Sequence, residues 1–209
     1  MFHLWVNMDG KSKKEDLEKL EEEVINCQKC SLWKSKTNLV FGEGNPSSEI
    51  MFIGEAPGYH EDKQGRPFVG AAGKLLTELI ESLGLKREDV YIANVLKCRP
   101  PNNRDPKPEE IDACYPWLER QIEIINPKFI CTLGRYSAYV LLKIPINMST
   151  YHGKFYDIQN KLIFITYHPA AALYHRKILE EIKNDFLSFK KLIEDKSNKD
   201  IKRQQLSFW

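Results

Sequence analysis

The sequence predicts an α/β fold: a three-layer α/β/α sandwich around a mainly parallel central sheet. Three observations carry that expectation. Apolar runs of strand length alternate along the chain with longer segments whose apolar residues recur at helical spacing. The chain has 209 residues, which suits one such domain and lets it bury about 70% of its unfolded surface. Polar or glycine residues close the strand-like runs, at the carboxyl ends where open α/β sheets bind ligands.

Taken in order, residues 1–11 are expected to be unstructured. Ser12 with Glu15 makes a capping-box pattern, and Leu17, Leu20 and Val24 form the apolar stripe of a helix over 12–24. That helix delivers Cys27 and Cys30 just past its end. A short strand and turn follow over 38–46, then a buried strand over 49–53. The segment 54–70 reads as a strand-to-helix loop rich in glycine and proline, with Glu55, His60, Glu61, Asp62 and Phe68 supplying acid-base and stacking groups. A helix over 71–83 stops at Gly84, and a buried strand over 90–95 carries Asn94 at its carboxyl end. The prolines of 97–108 forbid helix or central strand there, leaving a stiff basic loop.

Pro108 opens a helix through 125 whose first turn is Pro-Glu-Glu, and this helix carries Cys114. A strand over 128–134 precedes a short helix to 142. Segments 154–158 and 161–167 form a hairpin about Gln159-Asn160, closed by Tyr167-His168-Pro169. A last helix covers 177–193. The folded domain is thus expected over 12–193, with 194–209 a charged, flexible tail ending Leu206-Ser207-Phe208-Trp209.

Composition narrows function only slightly. The chain is 42% hydrophobic and 29% charged, an ordinary globular balance. No apolar run reaches the roughly 18 residues of a spanning helix and no leader is evident, so no membrane partner is expected and the location is cytoplasmic. A net charge of +2 does not announce a nucleic-acid binder, so a basic face must come from local clustering. The five cysteines are unevenly spaced, a pattern more suited to metal ligation than to disulfides. Cys27, Cys30, Cys98 and Cys114 make one ligand set, and Cys131, inside an apolar strand, is a core thiol. Four thiolates suit a tetrahedral zinc or an iron–sulfur cluster. The wide separation of Cys98 from Cys114 favours the cluster, and four scattered, metal-free thiols remain the alternative.

Phe68, Asn94 and His168 come from three segments that the fold brings to one edge of the sheet. An aromatic face, a carboxamide and an imidazole suffice to recognise a planar heterocycle by stacking and edge hydrogen bonds.

The run Gly54-Glu55-Ala56-Pro57-Gly58 with Glu61-Asp62 and Gly65-Arg66-Pro67-Phe68-Val69-Gly70, followed by Asn94, Lys97-Cys98-Arg99-Pro100-Pro101 and His168-Pro169, resembles the family 4 uracil-DNA glycosylases. These are the iron–sulfur members of the uracil-DNA glycosylase superfamily, and the likeness spans about residues 27–176. It implies a [4Fe-4S] cluster on Cys27, Cys30, Cys98 and Cys114, and a monofunctional enzyme of base excision repair, associated with the nucleoid. Uracil flipped from single- or double-stranded DNA would stack on Phe68, present its amide edge to Asn94, and lie against the backbone of Gly54, Glu55 and Ala56. Tyr59 or a neighbour would exclude the thymine methyl. His168 would stabilise the charge that develops on uracil O2.

Ala56 stands where the best-known class of the superfamily has a water-positioning Asp. Glu61 is the first candidate for that role and Glu55 the second. Lys97, Arg99, Arg104, Lys107 and Arg176 would contact phosphates, with Leu173 or Tyr174 as the wedge that fills the hole left by the base. The segment 203–209 resembles a sliding-clamp-binding peptide, and the enzyme is expected to be monomeric. Two rival readings are a glycosylase for other deaminated bases and a non-catalytic iron–sulfur scaffold that binds nucleic acid.

Overall fold

The computed structural model describes residues 10–197. The segment 203–209, with its resemblance to a clamp-binding peptide, lies outside them. Helix α1 (Gly10–Ile25) begins before Ser12, so residues 10 and 11 join the helix instead of an unstructured arm. Strand β1 (Glu43–Gly44) is short, and β2 (Ile50–Gly54) is buried throughout. Helix α2 (Tyr59–Gln64) follows and ends at Gly65 with φ of 70°, then α3 (Ala71–Ser82) and β3 (Tyr91–Asn94). Next come α4 (Pro108–Ile125), β4 (Phe129–Leu133), α5 (Arg135–Leu142) and α6 (Met148–Tyr151). The chain closes with β5 (Phe155–Ile158), β6 (Lys161–Thr166), α7 (Pro169–Ala172) and α8 (Arg176–Ser197). Helix α8 carries through residues 194–197, so the segment read as tail from 194 is helical for its first turn.

The six strands form one sheet in the order β1-β3-β2-β4-β6-β5. The inner four run parallel, and the edge strands β1 and β5 are antiparallel to their neighbours. Gln159 and Asn160 both take positive φ, 50° and 64°, the conformation of the tight hairpin turn between β5 and β6.

Alternation along each strand sends side chains to two cores. On one face Met51, Ile53, Ala93, Ile130, Ile163 and Ile165 meet Leu17, Leu20 and Val24 of α1 and Leu118, Ile122 and Ile125 of α4. On the other, Phe52, Ile92, Cys131, Leu133 and Phe164 meet Leu76 and Ile80 of α3 and Ile182, Phe186 and Phe189 of α8. This is the three-layer sandwich the sequence predicts. Cys131 is fully buried among those apolar side chains, as a core thiol should be. Among the described residues no helix is long and apolar enough to cross a membrane.

Candidate active site

The parallel strands all end on one edge of the sheet, where an open-mouthed cavity of about 320 Å³ is lined by Glu55, Ala56, Glu61, Phe68, Asn94 and His168, with Arg104 at its wall. The register of β2 on β3 sets Gly54 opposite Asn94. Gly54 itself lies behind the cavity: a Cβ there would meet Asn94 Oδ1 at 2.4 Å and the Phe68 ring at 2.6 Å. Only glycine lets the amide and the ring approach this closely.

Asn94 is 2% exposed, and among the described residues its Oδ1 has no hydrogen-bond donor. An unpaired buried carbonyl oxygen costs about 1–3 kcal/mol. Such an atom at a cavity wall is a ready acceptor for a ligand N–H.

Phe68 adopts φ of 51°, a left-handed conformation that a bulky side chain enters only under constraint. Its ring stacks on the His168 imidazole, with centroids 5.5 Å apart and planes inclined by 27°. Its backbone is pinned by α3, because a Cβ on Gly73 would lie 1.9 Å from Phe68 O. Downstream, Glu61 Oε1 accepts from the amides of Val69 and Gly70, both at 2.9 Å.

His168 caps α7, its Nδ1 accepting from Ala170 N at 3.1 Å. In the neutral imidazole the proton therefore sits on Nε2, which is left as a donor. Desolvation draws its pKa down to about 4 against the partial opposition of Glu61, so the ring is neutral at physiological pH. Glu55 is shifted the other way: burial, then the nearby Asp105, raise it to about 7, with Arg135 opposing. A carboxyl that titrates near neutrality in a cleft suits proton transfer or water orientation.

Several residues assigned from sequence lie elsewhere. Lys97 was expected on phosphate, but it is 1% exposed. Its Nζ donates to Asn94 O at 2.9 Å and Gln121 Oε1 at 2.5 Å, and burial lowers its pKa to about 8. It cannot reach DNA and instead ties β3's end to α4. Tyr59 is 51% exposed beneath Arg99 and does not line the cavity, whose wall at that point is Pro57 and Gly58. Arg104 is held by both oxygens of Glu110, at 2.8 and 2.6 Å. Arg99, Lys107, Leu173, Tyr174 and Arg176 are outside the lining. Arg176 is exposed apart from an ion pair with Glu180, and Tyr174 is the most exposed of the candidate wedges at 83% against 43% for Leu173.

Sequence reasoning missed Pro100, Asn103 and Ala170 on the cavity wall. It also missed Gly73 behind Phe68, whose only sign was a glycine early in an otherwise good helix.

Cys27, Cys30, Cys98 and Cys114 line a separate small pocket with Val24, Leu32, Leu39 and Trp117. Burial raises the thiol pKa of Cys98 to about 12 and of Cys114 to about 11. Two N–H groups point at sulfur: the Lys97 amide to Cys114 Sγ at 3.3 Å, and Trp117 Nε1 to Cys27 Sγ at 3.4 Å. Such donors stabilise thiolates in an apolar shell. Among the described residues no three Cys, His, Asp or Glu side chains are gathered as around a single metal ion.

Comparison with known proteins agrees with this geometry. A family model described as the Uracil DNA glycosylase superfamily matches residues 41–195. A type-4 uracil-DNA glycosylase of Sulfurisphaera tokodaii is 58% identical over 190 residues, covering 85% of each chain. Type-4 enzymes of Archaeoglobus fulgidus and Thermotoga maritima are 51% and 45% identical, covering 82% of this chain and 90% and 93% of theirs. The chain therefore belongs to the uracil-DNA glycosylase superfamily, among its type-4 members.

Proposed function

We propose that this chain flips uracil out of DNA and hydrolyses its N-glycosidic bond, releasing free uracil and leaving an abasic site for base excision repair. The observation that carries this is the unpaired Oδ1 of Asn94 beside Phe68 and His168. With Oδ1 facing the cavity as it does here, the Asn94 carboxamide offers one acceptor and one donor, which complement N3–H and O4 of uracil. Cytosine reverses both partners, so it would leave the buried Asn94 groups unpaired. Phe68 stacks on the base face. As the bond breaks, negative charge grows on uracil O2, and the Nε2–H of a neutral His168 meets it with a hydrogen bond fixed in advance. Glu55, ionising near neutrality, orients the attacking water. Glu61 is reassigned from that role to holding the Phe68 loop, since one of its oxygens is committed to two amides.

The four cysteines suit a [4Fe-4S] cluster. All are sulfur donors, they line one apolar pocket, and N–H groups already point at two of them. The cluster would supply a rigid cross-link between the end of α1, the 98–107 loop and α4. Arg99, Lys107 and Arg176 would meet phosphates along the resulting surface, with Tyr174 or Leu173 as wedge, and the enzyme would act as a monomer on single- or double-stranded DNA.

The test is release of free uracil from a uracil-containing oligonucleotide, with a hypoxanthine oligonucleotide in parallel. Uracil release that His168→Ala lowers about 100-fold, with DNA affinity unchanged, supports the reading. Preferential release of hypoxanthine, or equal losses in turnover and binding, would overturn it.

A further inference from the structure

Phe68 sits in an unfavourable left-handed conformation, so something must hold it there. On its downstream side Glu61 grips two amides. On its upstream side the grip comes from residues far from the cavity. Arg87, in a 3-10 turn (Arg87–Asp89) after α3, donates from Nη2 to the carbonyl of Pro67 at 2.6 Å. The same guanidinium donates from Nε and Nη2 to Glu43 Oε1 at 3.0 and 2.7 Å, and Nη1 reaches Thr77 Oγ1 of α3 at 3.5 Å. Glu43, on edge strand β1, also accepts from Arg66 Nε through Oε2 at 2.7 Å. One carboxylate thus spans both arginines and ties the 66–68 backbone to the sheet edge and to α3. Neither Glu43 nor Arg87 lines the cavity.

We propose that Glu43 and Arg87 are positioning residues for base recognition: their paired charges fix the Pro67 carbonyl and thereby the stacking face of Phe68. The proposal rests on Phe68 being the base-stacking ring. Arg87's hydrogen bonds divide between Glu43 and the loop in a fixed fork, a geometry that lysine cannot reproduce. Without the fork, the loop keeps its hold from Glu61 and α3 but loses its upstream one, and the ring can turn out of register with Asn94 and His168. Misplacement by about 1 Å is enough to cost up to about 100-fold in rate. This pair therefore serves preorganisation of the site ahead of any contact with substrate.

The test is single-turnover uracil excision by Arg87→Met, Phe68→Ala and the double variant, beside Glu43→Gln. Circular dichroism and affinity for uracil-free DNA serve as controls. Arg87→Met should slow excision about tenfold and weaken inhibition by free uracil in parallel, with uracil-free DNA bound as before. In the Phe68→Ala background it should add nothing, because the ring it aims is gone. Glu43→Gln should act in the same direction and to a smaller degree, and it provides the same readout if Arg87→Met does not fold. A wild-type rate for both charge variants would overturn the proposal, as would losses that multiply in the double variant. A wild-type rate for Phe68→Ala would instead overturn the stacking role itself, and the proposal with it.

Discussion

Glu55 and His168 show how one cavity perturbs two titratable groups in opposite senses. Both are moved toward their neutral forms by desolvation, Glu55 up to about 7 and His168 down to about 4. The consequences for stability follow from the sign of each shift. His168 contributes its full share above its unfolded pKa of 6.5, and that share is lost as pH falls toward 4. Glu55 contributes below its unfolded value of 4.5, and its share is lost as pH rises through 7. At pH 8 the protein therefore carries an ionised, partly buried carboxylate that costs about 1–2 kcal/mol after allowance for solvent screening. Glu55→Gln should accordingly raise the thermal midpoint by about 2–6 °C at pH 8 and leave it unchanged at pH 5. The same variant should abolish the rise of kcat/KM with pH near 7. Scanning calorimetry and a pH–rate profile measure the two effects, and a stability gain at pH 5 alone would contradict the assignment. Neither shift was legible in the sequence, because both come from burial and from Asp105, Arg135 and Glu61 approaching across separate segments.

The 54–70 segment and α3 act together at the scale of elements. The loop was legible as a ligand-binding connection from its glycines, prolines and aromatic, but α2 within it was not. Six residues, Tyr-His-Glu-Asp-Lys-Gln, show no apolar period. The helix is held instead by Asp62, 2% exposed, which accepts from Thr37 N at 2.8 Å. Gly73 is the point where the two elements touch. Alanine normally gains about 1 kcal/mol over glycine inside a helix, yet at Gly73 its Cβ would lie 1.9 Å from Phe68 O and 2.1 Å from Phe68 C. The steric effect wins, since both neighbours are backbone. Gly73→Ala should destabilise the fold by about 1–3 kcal/mol and lower uracil excision at least about tenfold. Urea titration and an excision assay check this, and a more stable, fully active variant would show that the loop does not depend on α3.

Across the whole molecule, the cysteine pocket and the base cavity meet through the chain between Asn94 and Cys98. Lys97 bridges them, its amide directed at Cys114 Sγ and its Nζ at Asn94 O. A cluster on the four cysteines, as proposed above, would therefore bear on both. If the proposed cluster is bound, the protein should show broad visible absorbance, and Cys98→Ser or chelation of the iron should abolish it and lower the thermal midpoint by about 10 °C or more. It should also weaken DNA binding by freeing the 98–107 loop. A variant with unchanged absorbance and melting would remove Cys98 from the ligand set.

The strands, the main helices, the grouping of Cys27, Cys30, Cys98 and Cys114, and the partnership of Phe68, Asn94 and His168 were determined by sequence alone. The elements rest on local periodicity, the trio on residue chemistry that the chain order carries to one sheet edge, and the cysteine set on thiol chemistry and the family resemblance. Only the tertiary structure decided that Lys97 is a buried brace instead of a phosphate contact, that Gly54 and Gly73 make room for Phe68, and that Glu43 and Arg87 hold its loop. Those outcomes depend on which groups from distant segments exclude water from one another. Burial and hydrogen-bond partnership at that distance leave no mark on local sequence.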